Sequence, residues 1–203
     1  MNKKISLKKL VVSILGTAIV SMGISLLVNG SYGVDTISTF LLGILNYVNL
    51  PFWVASMTLN ILILVVTFLL DASELGIGSV INAIGRGYLL KFLNPLFGSL
   101  ALSLPYYSMI AAVVGPILFG VGGALYISSG LGAAALEALT NIVDKNTEAS
   151  IKTIRMILDA AFVIVGLLLG APLGIGTVLC VLLIGPVLEF TLKLINRTKA
   201  AQI

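Results

Sequence analysis

Long apolar runs separated by short polar breaks fill this chain from end to end. Runs from Leu10 to Val28, Pro51 to Leu70, Leu75 to about Phe97, Tyr106 to Ile127, Ile151 to Gly170 and Gly174 to Ile195 each predict a long helix. Two shorter segments, Val34 to Val48 and Leu131 to Val143, follow the first and fourth runs. They hold about 13–15 residues, roughly 20 Å of helix, against a hydrocarbon core of ~30 Å. They read either as broken or re-entrant helices or as short helices buried in a bundle. No alternation of polar and apolar residues suggests barrel strands. The pattern predicts an all-α polytopic membrane protein with about six long helices and two short or broken ones.

The pattern occurs twice. Leu75-Gly76-Ile77-Gly78-Ser79-Val80 returns as Leu173-Gly174-Ile175-Gly176-Thr177-Val178, at an offset of 98. At an offset of 99, Gly16 aligns with Gly115, Gly23 with Gly122, Gly33 with Gly132, Met57 with Met156, and Asn60 with Asp159. Two tandem homologous repeats of four segments are expected. They cover residues 10–97 and 106–195, with a junction at 98–105 containing Ser99 and a tail at 196–203. Gly16, Gly23 and Gly30 share one helix face, a stripe repeated by Gly115, Gly122 and Ser129; small residues there let helices approach closely.

Composition narrows the class. Of 203 residues, 59% are hydrophobic and 10% are charged, and the mean hydropathy is +1.15. A soluble domain carries about 25% charged residues, so lipid must be the solvent. The formal charge of +4 does not point to nucleic acid, because the basic residues flank apolar runs. Histidine is absent and Cys180 is the lone cysteine, which excludes imidazole chemistry, an intrachain disulfide and a Cys cluster. No cofactor or metal is expected. No Gly-x-x-x-x-Gly-Lys loop occurs, so the chain does not drive itself with ATP.

The few charges inside apolar sequence carry the candidate chemistry. Asn60 and Asp159 lie mid-run at equivalent places in the two repeats. An ionised Asp at mid-membrane costs several kcal/mol unless paired, hydrated or protonated. Arg155 lies four residues before Asp159, so an ion pair on one helix face is the bland alternative. Glu137 has no cation near it in sequence, and Arg86 is a candidate partner across helices. Asp35 fronts the first short segment, with Thr36, Ser38 and Thr39. Glu189 and Lys193 read as a solvated pair. The starts Gly76, Gly78, Ser79 and Gly174, Gly176, Thr177 can offer backbone N–H groups to an anion.

Orientation follows from loop charge. If all eight segments cross, Lys3 to Lys9, Arg86 and Lys91, Lys145 to Arg155 and Lys193 to Lys199 share one side, and Asp35, Asp71 and Glu74 face the other. That satisfies the positive-inside rule and favours parallel repeats with both termini cytoplasmic. Six crossings, with the short segments re-entrant, would invert the second repeat. The run after Lys3, Lys4, Lys8 and Lys9 reads as a retained helix, not a signal peptide, since no small-x-small cleavage site follows.

Tyr32-Gly33-Val34-Asp35-Thr36, Leu131-Gly132, the two Leu-Gly-Ile-Gly-Ser/Thr motifs and Gly185-Pro186 resemble the YczE/YyaS/YitT group of bacterial integral membrane proteins. The likeness covers about Gly16 to Leu194. The family usually shows Pro-Trp-Asp after the first Leu-Gly, where this chain has Val34-Asp35-Thr36. The resemblance implies a protein of the bacterial plasma membrane; it does not supply a substrate.

Two functions compete. In a small-solute permease or secondary transporter, Asp159 and Glu137 would bind a cation, a proton or a cationic group, and Asn60 would be the uncharged counterpart. Asp35 and Arg86 complete the substrate-binding candidates. In a non-catalytic scaffold or accessory subunit, glycine stripes and scattered polar residues suffice. An enzyme is not expected. The partners foreseen are the lipid bilayer, a small solute, and a second copy or a membrane partner protein.

Overall fold

The computed structural model describes residues 6–147 and 151–200. Lys3 and Lys4, and the side chains of Lys152 and Lys199, lie outside the described residues. Among the described residues eight α-helices form in order: α1 (Leu7–Gly30), α2 (Thr36–Leu45), α3 (Phe52–Leu70), α4 (Ile77–Ser103), α5 (Tyr107–Ser128), α6 (Ala135–Asn146), α7 (Ile151–Leu168) and α8 (Ile175–Ala200). The order long, short, long, long thus occurs twice. Four of these, α1, α3, α5 and α8, are long and apolar enough to cross a membrane. Their outer faces expose large apolar side chains such as Leu15, Phe68, Met109 and Leu182, as a lipid-solvated bundle requires. In α4 and α7 the charges of Arg86 and Lys91, and of Arg155 and Asp159, interrupt the apolar run.

The centre is a crossing of α1 and α5. A Cβ on Gly16 would lie 2.7 Å from the Gly122 carbonyl oxygen, and one on Gly23 would lie 2.6 Å from that of Gly115. Gly30 faces Ala111. As numbers rise along α1 they fall along α5, so the two helices are antiparallel. This corrects the parallel arrangement favoured by loop charge. The adjacent face of α1 carries Ser13, Thr17, Ser21 and Ser25, all buried. It meets α4 through Asn82 Nδ2 donating to Thr17 Oγ1 (3.1 Å) and Ser25 Oγ donating to Asn94 Oδ1 (2.6 Å). These pairs rise together, so α4 is parallel to α1. Met57 against Gly87, and Ile63 and Leu64 against Ala83, make α3 antiparallel to α4.

The short helices turn back. After α1 the chain passes the start of α8, where Gly33 lies against Gly174 and Thr177. It then reaches Asp159, partway along α7, through Thr36. From there α2 runs beside α7 in the same direction: Thr39 and Phe40 meet Gly166, and Asn46 Nδ2 donates to the Leu169 carbonyl at 3.0 Å. Leu169 adjoins the start of α8, so α2 returns to the end it left. In the second half Gly132 passes the start of α4, Ala135 packs with Ile63 and Leu64 of α3, and Lys145 returns to Asp71 at the end of α3. Both short helices therefore begin deep in the bundle and end at opposite faces of it.

One boundary differs from expectation. The junction at 98–105 is not a break, because α4 continues through Pro95 to Ser103 and the turn is confined to residues 104–106. An interior proline removes one helix hydrogen bond and its ring crowds the carbonyl four residues back, yet the helix runs on and closes with Leu104 N–H donating to Leu100 O at 3.0 Å.

Candidate functional site

Five charged side chains meet where α2 and α6 begin. At the start of α2, Asp35 is the N-cap and accepts from the Ser38 N–H through Oδ2 at 3.3 Å. A carboxylate in that position satisfies orphan amides and complements the helix dipole. Thr36 Oγ1 donates to Asp159 Oδ1 at 2.7 Å, and Arg155 Nε donates to Asp159 Oδ2 at 3.0 Å. Arg155 also reaches Glu137 Oε1 with Nη1 at 3.6 Å. The intrahelical pair foreseen for Asp159 thus exists, and it is one edge of a larger cluster. Glu137 and Asp159 share a guanidinium inside the protein, in place of the external cation that the sequence suggested for them.

Beside this triad lies a cavity of about 30 Å³, lined by Asn60, Asn82, Arg86, Tyr126, Glu137 and Arg155 among others. That free volume holds roughly two water molecules. Its floor is Arg86, 9% exposed, whose Nη2 donates to Asn82 Oδ1 at 2.9 Å. Its Nε has no hydrogen-bond partner in the protein, and no carboxylate lies within ion-pair distance of it among the described residues. Asn60 is buried and donates to Ser56 O at 2.7 Å. Tyr126 donates to Gly132 O at 2.9 Å and so ties the end of α5 to the approach of α6.

The two starts differ. The position equivalent to Asp35 is Ala134, and α6 begins there without any side-chain cap. Asn60, Arg86 and Glu137 therefore face the open start of α6. Asp35 and Asp159 belong to the closed start of α2.

The glycine motifs do a different job from the one foreseen. Gly78 N–H donates to Leu131 O at 2.9 Å, and Gly176 N–H to Tyr32 O at 2.7 Å. Gly76 N–H donates to Ser79 Oγ, which itself donates to Ala133 O at 2.6 Å. A Cβ on Gly76 or Gly174 would overlap those carbonyls. Gly76, Gly78, Ser79, Gly174 and Gly176 thus clamp the backbone entering each short helix, while Thr177 packs against Gly33 with its Oγ1 unpartnered. The amides of Gly78 and Gly176 are spent on protein oxygens, so the anion site expected at these starts is corrected.

Residues 7–193 match the family described as "Family of unknown function (DUF6198)". The chain belongs to the DUF6198 family. It is 28% identical over 178 residues, 87% of this chain and 82% of the relative, to the "Uncharacterized membrane protein YczE" of Bacillus subtilis. It is 24% identical over 188 residues to the "Uncharacterized protein YyaS" of the same organism, covering 90% and 92% of the two chains. An "Uncharacterized protein" of Haemophilus influenzae is 34% identical over 125 residues, 61% of this chain and 56% of the relative. No solved structure matches the chain. The resemblance to YczE and YyaS drawn from the glycine motifs is thus upheld, and this DUF6198 chain is an integral membrane protein.

Three site residues of the DUF6198 chain escaped sequence reasoning. Asn82 orients Arg86 from one turn away, and its signal was available as a second polar residue four positions back on α4. Arg155 was noticed only as a partner of Asp159. Tyr126 carries no sequence signal, because its role depends on Gly132 being brought beside it.

Proposed function

We propose that this protein is a small-solute permease built from two inverted repeats, with its site where the two re-entrant helices begin. One observation carries the reading. Glu137, Arg155 and Asp159 keep 38%, 32% and 26% of their side chains exposed, and α7, which carries the last two, otherwise exposes Met156, Ile157, Ile164, Val165 and Leu168. Ionised groups do not face hydrocarbon, so water must reach them, and a wet polar cavity at mid-depth is what a permease needs. Counterpart contacts in the two halves support the inversion: Gly78 to Leu131 and Gly176 to Tyr32, α2 beside α7 and α6 beside α3.

Six crossings then satisfy the positive-inside rule. Lys8, Lys9, Lys145, Lys193 and Arg197 gather at the end where α1 starts and α8 finishes. The loops at the other end, residues 46–51, 104–106 and 169–174, contain no charged residue. Both termini are cytoplasmic in this reading, in the bacterial plasma membrane, and the chain is no enzyme.

Uptake into proteoliposomes tests the function. A broad solute screen should find a carried compound, and Glu137→Gln and Asp159→Asn should each slow it by about tenfold or more. Normal carriage by both variants removes the cluster from the mechanism. Failure of every solute, with a membrane protein co-purifying, favours the accessory-subunit reading.

A further inference from the structure

The unequal starts of α2 and α6 say what kind of ligand the cavity takes. In the first half the helix start is filled by the protein's own carboxylate, Asp35, with Oδ2 on the Ser38 amide. In the second half the equivalent residue is Ala134, 6% exposed, and the first turn of α6 has no side-chain cap. That turn, residues 134–137, lines the cavity. Opposite it is Arg86, nine-tenths buried, with Nε unpartnered and Nη2 held in place by Asn82. The other polar groups around it are engaged: Asn60 Nδ2 on Ser56 O, Tyr126 on Gly132 O, and Arg155 on Glu137 and Asp159. The charged side chains of the wall are Arg86, Arg155 and Glu137; Arg155 is already bridged by Glu137 and Asp159, which leaves Arg86 as the cation without an ion-pair partner among the described residues.

We propose that the cavity between the start of α6 and Arg86 binds a small monocarboxylate, which occupies the place that Asp35 fills in the other half. The proposal deepens the permease reading by naming the ligand class of the same site. Uncapped amides and the helix dipole attract an anion, and the Arg86 guanidinium that lines the cavity is a charge-assisted donor suited to a carboxylate. The small cavity, about 30 Å³, favours the smallest carboxylates, formate before acetate. Glu137 completes the selectivity: its charge opposes a second negative charge, so dicarboxylates are excluded.

Equilibrium binding of radiolabelled formate and acetate to the purified full chain in lipid nanodiscs tests this, with methylammonium and succinate as controls. Saturable binding of formate or acetate is expected, without binding of either control. Arg86→Gln should weaken it by about tenfold or more. Because Arg86 is buried, that variant can fail through misfolding, so Ala134→Asp is the second probe. It plants a carboxylate where Asp35 stands in the other half. It should leave the melting temperature at or above that of the parent while abolishing formate and acetate binding. Undiminished binding in a folded Ala134→Asp protein overturns the proposal, as does absence of monocarboxylate binding by the parent chain. The assay needs no transport. Binding without uptake keeps the inference and removes the permease; uptake of a solute that monocarboxylates neither compete with nor resemble does the reverse.

Discussion

At the scale of single residues, this molecule depends on side chains that are missing as much as on those present. Gly16 and Gly23 on α1 and Gly115 and Gly122 on α5 leave no room for a Cβ, since each would come within 2.7 Å of an atom of the opposite helix. In lipid there is no hydrophobic gain from helix contact, so close backbone approach supplies the attraction. Gly23→Ala should therefore cost about 3 kcal/mol and lower the melting temperature in detergent. Gly185, with nothing within 4 Å of its would-be Cβ, is the control. Gly185→Ala should be neutral or stabilising by up to about 1 kcal/mol through helix propensity. Equal losses in the two variants would show that crowding at the crossing is not what matters. Asn60, Arg86 and Glu137 were legible as site residues because a lone polar group in an apolar run is expensive. Their division between two unlike helix starts was not legible, because Ala134 announces nothing in sequence.

At the scale of elements, the polar ends of the short helices are held differently. At the charged end of the bundle, Lys145 of α6 bridges Asp71 at 2.9 Å and Glu74 at 2.6 Å, and Asn141 Nδ2 donates to Glu74 Oε2 at 2.8 Å. At the other end the polar tie of α2 among the described residues is the Asn46 amide on Leu169 O. The Lys145 ammonium and the Asn141 amide hold the Glu74 carboxyl below its usual range. The Ser73 hydrogen bonds, followed by Lys145, do the same for Asp71. Glu74 in turn raises Lys145. Depressed carboxylates contribute stability above their unfolded values, about 4, and lose it as pH falls through the folded ones. A raised lysine contributes below its unfolded value, about 10.4, and loses it as pH rises through the folded one. The melting temperature of the parent should thus exceed that of Lys145→Met at neutral pH. The gap should close below about pH 4 and above about pH 10.5. A gap that is constant with pH would rule out the clasp. Solvent screening keeps its size small.

The lengths of the elements were readable from the apolar runs, but their directions were not. Counting charge by side puts Arg86 and Lys91 on the cytoplasmic side, and Asp71 and Glu74 outside. In the fold Arg86 is the buried floor of a cavity, and Lys91 lies over the Trp53 ring at 5.1 Å. Asp71 and Glu74 sit on Lys145. A charge that is not in a loop misleads a rule about loops.

For the whole molecule, inversion makes a prediction about sidedness. Asn49 and Ser103 lie at the uncharged end, and Ser73 at the charged one. In intact cells a membrane-impermeant maleimide should label Asn49→Cys and Ser103→Cys but not Ser73→Cys. After lysis it should label all three; the native Cys180 is buried. Labelling of Ser73→Cys from outside alongside Asn49→Cys would refute the arrangement.

The crossed docking of the short helices has a consequence for biosynthesis. Thr36 waits for Asp159, 123 residues downstream, and Asn46 waits equally long for Leu169. When the ribosome has finished the first half, α2 has no berth, and Asp35 has entered the bilayer region without its final surroundings. The nascent chain must shelter that segment at the translocon, or leave it at the lipid surface, until α7 emerges. Neither half holds the groove for its own short helix, so separating the halves would strand each short helix without it.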